Sequence, residues 1–130
     1  MKEQLTKNFS LSEFQSKDGS PMPHEVYLNV LELAKNLQII RDYIGLPMIV
    51  NSGYRSPQHN KAVGGSPASQ HLLGKAADIR VVGMSSEQLH EIIVTLIDEG
   101  IISQGGVGLY NTFVHYDIRK TVARWDYRKQ

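Results

Sequence analysis

The sequence predicts an α+β fold in which helices pack on a small, largely antiparallel sheet. Two stretches carry apolar residues at steps of three and four, the pattern of amphipathic helices. Short apolar runs suited to strands lie between and after these stretches, and the last two runs are close enough in the chain to form a hairpin. The 130 residues fit a single domain, 1–130.

The first elements follow from helix start and stop signals. About residues 1–22 are expected to form an N-terminal extension with a short helix, because Ser10 is followed three residues later by Glu13 in a capping pattern. The first long helix is predicted to begin near Pro23 and to end at Gly45-Leu-Pro47. Its apolar stripe consists of Val26, Val30, Leu33, Leu37, Ile40 and Ile44.

The rest of the chain alternates strands with one more helix. Strands are predicted over residues 48–50, 76–82, 107–110 and 113–118. The second helix starts at Ser85 or Ser86 and ends at Gly100, and Asn111-Thr112 forms the tight turn between the last two strands. Residues 54–70 are rich in Pro, Gly, Ser and Asn, and an irregular segment of this length in a small domain is often functional.

Composition and charge exclude several classes of function. A formal net charge of +1 gives no electrostatic reason for a nucleic-acid or membrane-surface partner. No apolar run reaches the roughly 20 residues of a membrane span, and the N-terminus lacks the apolar stretch of a secretory signal. Without cysteine, a metal would have to be held by histidine and carboxylate. We expect a monomer without stable membrane insertion.

Three residues stand out as candidate metal ligands. Residues two apart on a strand share a face, so Asp78 points away from its apolar neighbours, and His115 shares a face with Asp117. If the two strands are neighbours, Asp78 and His115 meet, and His71 can arrive from the preceding loop. Two imidazoles and a carboxylate with a fourth position for water match a catalytic zinc site. A buried Asp paired with a His in a sheet is the structural alternative.

Several motifs occur together and in order. They are Phe9-Ser-Leu-Ser-Glu-Phe14, Ser52-Gly-Tyr-Arg-Ser-Pro57, Val63-Gly-Gly65, Ser69-x-His71-x-x-Gly74-x-Ala76-x-Asp78, Gly106-Val-Gly-Leu-Tyr110, Phe113-Val-His-Tyr-Asp117 and Arg124-Trp125. Together they resemble the zinc D-alanyl-D-alanine carboxypeptidase family, which includes zinc phage endolysins and shares its fold with hedgehog signalling domains. The small single-domain members with a final Phe-Val-His-x-Asp strand are the most similar.

The resemblance implies roles for five residues. His71, Asp78 and His115 match the zinc ligands of the family, and the implied cofactor is Zn²⁺. Arg55 matches the arginine that receives the carboxylate of the substrate, a role that suits its planar fork. Ser69 is expected either to bind the substrate backbone or to brace the loop.

The sequence departs from the pattern of several relatives at Thr112. They carry an acidic residue three positions before the last histidine ligand, and threonine cannot replace it as a general base. Asp117 is the nearest carboxylate, so it is the preferred catalytic base. Asp117 can equally accept a hydrogen bond from a ligating histidine and orient it. His59 is a further candidate for the base, although a surface role suits it better.

The implied function is that of a zinc metallopeptidase that hydrolyses the stem or cross-link peptides of peptidoglycan, as a carboxypeptidase or as an endolysin. The expected site of action is the bacterial cell wall, reached as a phage or prophage lysin or by another export route. The alternative is a hedgehog-like module that contains zinc and binds peptidoglycan without cleaving it. A metal-free structural domain is a third interpretation.

Overall fold

The structure is a computed structural model that describes residues 3–129, and it confirms the α+β fold. The helices are α1 (His24–Ile44), α2 (Pro57–Ala62) and α3 (Ser86–Asp98), with 3-10 helices at Leu11–Phe14 and Gln70–Leu73. The strands are β1 (Met48–Ser52), β2 (Ala76–Val81), β3 (Gly106–Leu109), β4 (Val114–Asp117) and β5 (Ala123–Asp126).

The helix ends lie where the capping signals predict them. Helix α1 ends at Gly45, whose φ of 76° allows its N–H to donate back to the carbonyl of Arg41. Helix α3 begins after Ser85, which forms a capping box with Gln88. The capping box of Ser10 and Glu13 is also present, and it opens a short 3-10 helix. Both long helices present their apolar stripes to one core.

The five strands form one sheet in the order β1-β2-β4-β3-β5. The β1–β2, β2–β4 and β4–β3 pairs are antiparallel, and the β3–β5 pair is parallel. The sequence did not predict β5, because exposed and half-buried residues alternate along it without an apolar pattern. Its place depends on a backbone ladder with β3, which a local pattern does not reveal.

The register places the candidate ligands on one face of the sheet. Asp78 of β2 lies directly opposite His115 of β4, so the two side chains leave the sheet together. The opposite face is apolar and packs against the helices. Its members include Ala77, Ile79, Val107, Val114 and Tyr116, and each is fully buried.

The N-terminal segment packs into the same core as the sheet. Phe9 and Phe14 are both fully buried there. The carbonyl of Phe14 accepts the N–H of Tyr54, and Gly53 packs so closely on the backbone of Phe14 that a Cβ would lie 2.7 Å from its Cα. These contacts fix the start of the irregular segment that follows β1. None of the helices within residues 3–129 is both long enough and apolar enough to cross a membrane.

Candidate metal centre

The structure brings His71, Asp78 and His115 together. Asp78 Oδ1 lies 3.2 Å from His71 Nε2 and 3.3 Å from His115 Nδ1. One ligand atom from each residue lies within 4.8 Å of the other two, and all three residues are buried. The sequence prediction that two neighbouring strands and the preceding loop place these side chains at one point therefore agrees with the structure.

The ring nitrogen of His71 that faces away from Asp78 forms a hydrogen bond with the main chain. Its Nδ1 lies 2.7 Å from the carbonyl oxygen of Gly53, which can only accept, so Nδ1 carries the proton and Nε2 is free to bind a metal. The N–H of Arg55 donates in turn to the carbonyl of His71 at 3.0 Å. The ligand on the second 3-10 helix is thereby tied to the loop after β1.

The outer nitrogen of His115 is held by a carboxylate. Its Nε2–H donates to Asp117 Oδ2 at 2.7 Å, which leaves Nδ1 as the ligand atom facing Asp78. Asp117 also accepts the backbone N–H of Gly106 at 2.8 Å and that of Arg119 at 3.1 Å, both at Oδ1. The guanidinium of Arg119 donates Nε–H to Oδ1 and Nη2–H to Oδ2. Asp117 is 0% exposed, and both of its oxygens are engaged.

The donor set fits zinc. Two imidazole nitrogens and one carboxylate oxygen are the ligand types of a three-residue catalytic zinc site. A tetrahedral ion with bonds of about 2.0–2.1 Å holds its ligand atoms about 3.3–3.4 Å apart. The separations of 3.2 Å and 3.3 Å from Asp78 Oδ1 agree with that spacing. Both histidines already have the tautomer that ligation requires.

The charges of the centre support one another. Burial alone would raise the pKa of Asp78, but the adjacent rings of His115 and His71 hold it well below its usual range. Burial alone would also raise the pKa of Asp117, and there the contacts with His115, Arg119 and Gly106 lower it. Burial would lower the pKa of His115, but its hydrogen bond to Asp117 and the nearby carboxylate of Asp78 raise it. Both carboxylates are therefore ionised at neutral pH.

Arg55 lies beside the ligands. Its Nη2 is 3.2 Å from Asp78 Oδ2, the oxygen that does not face the histidines. Its Nη1 and Nε donate to Asn60 Oδ1 and Ser52 Oγ, both at 3.2 Å. The side chain is 16% exposed and lines a cleft of about 640 Å³ that the three ligands also line. Arg55 is thus a positioned cation at the edge of the centre.

Sequence reasoning missed the residues that support Arg55. Asn60 is buried, accepts from Arg55 and donates to the carbonyl of Ser66 at 2.9 Å. Asp18 accepts from Ser56 Oγ at 2.7 Å and so ties the N-terminal segment to the residue after Arg55. An Asn and an Asp in segments rich in Ser and Pro look like ordinary turn residues, so only the folded structure reveals these contacts.

Ser69 also lines the cleft, and its hydroxyl accepts the N–H of His71 at 3.1 Å. This bond caps the 3-10 helix that carries His71, so the bracing contact is present. The substrate contact of Ser69 stays a prediction. Thr112 lies exposed in the turn between β3 and β4, and neither Thr112 nor His59 lines the cleft.

One wall of the cleft is aromatic. It is formed by Tyr110, Phe113, Trp125 and Tyr127. The indole of Trp125 packs against the ring of His115, with 4.9 Å between centroids, and Arg119 lies 5.6 Å from the centre of the same indole. Among residues 3–129, Asp78 is the only carboxylate that lines the cleft.

The chain was compared with known proteins. The model of the family described as Peptidase M15 matches residues 4–117, a span that contains all three candidate ligands. No curated protein matches the chain. Because the match covers most of the sequence and the structure assembles the ligand set of a zinc peptidase, the chain belongs to the Peptidase M15 family of zinc-dependent metallopeptidases.

Proposed function

We propose that this protein hydrolyses the stem or cross-link peptides of peptidoglycan at a zinc centre formed by His71, Asp78 and His115, and that it acts at the bacterial cell wall. One observation carries the proposal: His71, Asp78 and His115 bring their ligand atoms within 4.8 Å of one another, with the oxygen of Asp78 3.2–3.3 Å from both histidine nitrogens, beside a cleft that also holds Arg55 in place. Zinc bound there would supply polarisation of a carbonyl and a nucleophilic hydroxide near neutral pH.

Arg55 is the group suited to bind a carboxylate of the peptide. Its three contacts fix the plane of the guanidinium, and a held fork loses little conformational entropy when it binds a carboxylate. Its charge is only partly neutralised, because Asp78 also faces the two histidines. A peptide with a free carboxylate would therefore be oriented at the edge of the centre that lies beside β2.

Asp117 is assigned to positioning and not to proton transfer. A general base must reach the reacting water, whereas Asp117 is fully buried, does not line the cleft and has both oxygens engaged. The contacts support the second of the two roles expected from the sequence, in which Asp117 holds His115 in the ligating tautomer.

A binding module without catalysis remains the second candidate function. The observation that favours it is the absence of a free carboxylate among the cleft residues within 3–129, since most metallopeptidases use one as general base. The centre and the cleft are equally compatible with a protein that binds murein peptides and leaves them intact.

Mass spectrometry of purified murein incubated with the zinc-loaded protein decides between the two. A peptidase releases fragments with new termini, and their masses identify the bond. A binding module retains about one zinc per chain and sediments with murein, but it releases no fragments. His115→Gln should lose both zinc and fragment release, and the matched control His90→Gln, outside the centre on α3, should lose neither. Protein without stoichiometric zinc would contradict both functions.

A further inference from the structure

The hydroxyl of Tyr110 has a proton that no group in residues 3–129 accepts. Trp125 Nε1 lies 3.1 Å from the Tyr110 oxygen, and an indole N–H can only donate. The Tyr110 oxygen is therefore the acceptor in this bond, and its own O–H must point elsewhere. Tyr110 lines the cleft and is partly exposed, so this proton is available to a molecule in the cleft.

The ring that carries this hydroxyl is held on several sides. Phe113 stacks on Tyr110 with 4.3 Å between centroids and an interplanar angle of 10°, and the edge of Tyr127 packs against it at 5.7 Å. The indole of Trp125 lies over Gly108, where a Cβ would come within 2.2 Å of Nε1. A glycine at this position thus leaves room for the indole that orients the hydroxyl.

We propose that Tyr110 donates a hydrogen bond to a carbonyl oxygen of the peptide bound in the cleft, and so contacts the substrate directly. This inference rests on the proposed function. The charged donors Arg55 and Arg119 on the cleft walls suit carboxylates, whereas a neutral hydroxyl suits a neutral carbonyl. Burial, and to a smaller degree the charge of Asp78, raise the pKa of Tyr110, so the hydroxyl keeps its proton at neutral pH.

The two contacts give the peptide a direction. Arg55 touches Asp78 on β2, whereas Tyr110 follows β3 and is joined through Trp125 to β5, on the other side of β4. A peptide with its carboxylate at Arg55 and a carbonyl at Tyr110 would cross the sheet over His115 of β4. The bond nearest the ligands then lies between the carbonyl held by Tyr110 and the carboxylate held by Arg55.

Binding can be measured without turnover, because Trp125 is the only tryptophan of the chain and lies in the cleft. The metal-free protein is titrated with the synthetic stem pentapeptide L-Ala-γ-D-Glu-L-Lys-D-Ala-D-Ala while Trp125 fluorescence is followed. Tyr110→Phe keeps the stacked ring and should weaken binding about three- to tenfold, the effect of one neutral hydrogen bond. Tyr43→Phe, on the exposed face of α1 and outside the cleft, is the matched control and should bind like the wild type.

A second measurement tests the partner atom. Analogues of the pentapeptide in which one amide carbonyl at a time is reduced to methylene are titrated in the same way. One analogue should bind the wild type more weakly than the parent peptide does, by the same factor as the Tyr110→Phe change. The same analogue and the parent peptide should bind Tyr110→Phe equally well, because both changes remove one hydrogen bond.

Equal affinity of wild type and Tyr110→Phe for the pentapeptide would overturn the inference. If Tyr110→Phe does not fold, a wild type that binds every analogue as tightly as the parent peptide would overturn it as well. A wild type that binds no peptide, with or without zinc, would refute the proposed function itself and the inference with it.

Discussion

Replacing Asp117 by Asn distinguishes positioning from proton transfer. Oδ2 accepts from His115 and Arg119, and Oδ1 accepts from Gly106 and Arg119. An amide group must place its NH₂ against one of these sets of donors. If the NH₂ replaces Oδ2, His115 can no longer donate from Nε2, and its proton is driven to Nδ1, the ligand atom. If it replaces Oδ1, three N–H donors face an NH₂.

Either arrangement weakens the metal centre. Loss of an outer partner of a ligating histidine typically lowers metal affinity 10- to 100-fold, or about 1.4–2.7 kcal/mol. We expect Asp117→Asn to bind zinc more weakly by this factor in competition with a chromophoric chelator, and to regain most of its activity when zinc is in excess. The exposed Asp98→Asn, at the end of α3, is the control and should match the wild type.

A general base would behave differently. Asp117→Asn would then keep the zinc affinity of the wild type, and activity would stay low at any zinc concentration. That pair of results would refute the positioning role derived from the contacts.

Four further predictions test other parts of the structure. Arg55→Lys removes the planar guanidinium, so kcat/KM on a peptide with a free C-terminal carboxylate should fall roughly 10- to 150-fold. On the same peptide with an amidated C-terminus, kcat/KM should fall much less. An equal fall on both peptides would contradict carboxylate binding by Arg55. Phe14→Ala should lower the free energy of unfolding measured in urea by about 3–5 kcal/mol. A change below about 1 kcal/mol would mean that the N-terminal segment does not pack into the core. The hydroxyls of Ser56 and Ser16 hold the pKa of Asp18 below its usual range, so the stability that Asp18 contributes is present above about pH 4 and is lost as the pH falls. Asp18→Asn should therefore reduce the loss of unfolding free energy between pH 5 and pH 2 in urea titrations. An unchanged loss would contradict this. Removing zinc supplied at about 100 times its Kd should lower Tm by about 10 °C in a thermal melt, and an unchanged Tm would mean that zinc does not bind the folded chain.

The elements with local signals were predictable from the sequence. The apolar stripe and the glycine cap define α1, and the capping box defines the start of α3. Strand alternation was enough to place Asp78 and His115 on one face, because a period of two leaves only two choices. The metal centre followed from this alternation together with the family motifs.

What could not be predicted depends on contacts between distant segments. Strand β5 has no apolar alternation of its own and is held by β3. Sequence spacing predicts that Asp117 shares a face with His115, but not that its carboxylate accepts from Nε2, so the sequence does not assign its role. The sequence does not predict a free hydroxyl proton at Tyr110, because its orientation depends on Trp125, fifteen positions away.

The two histidines of the centre differ in what can be altered around them. His71 is oriented by the main-chain carbonyl oxygen of Gly53, which no side-chain substitution removes, whereas His115 is oriented by the side chain of Asp117, which a substitution can remove. A substitution at position 117 can therefore change metal affinity without moving the backbone, whereas a change at Gly53 must also displace the main chain packed on Phe14. In proteins of this architecture, we expect metal affinity to vary with the residue at position 117 and with the arginine that contacts it. The hydrogen bond between His71 and the carbonyl of residue 53 should vary less.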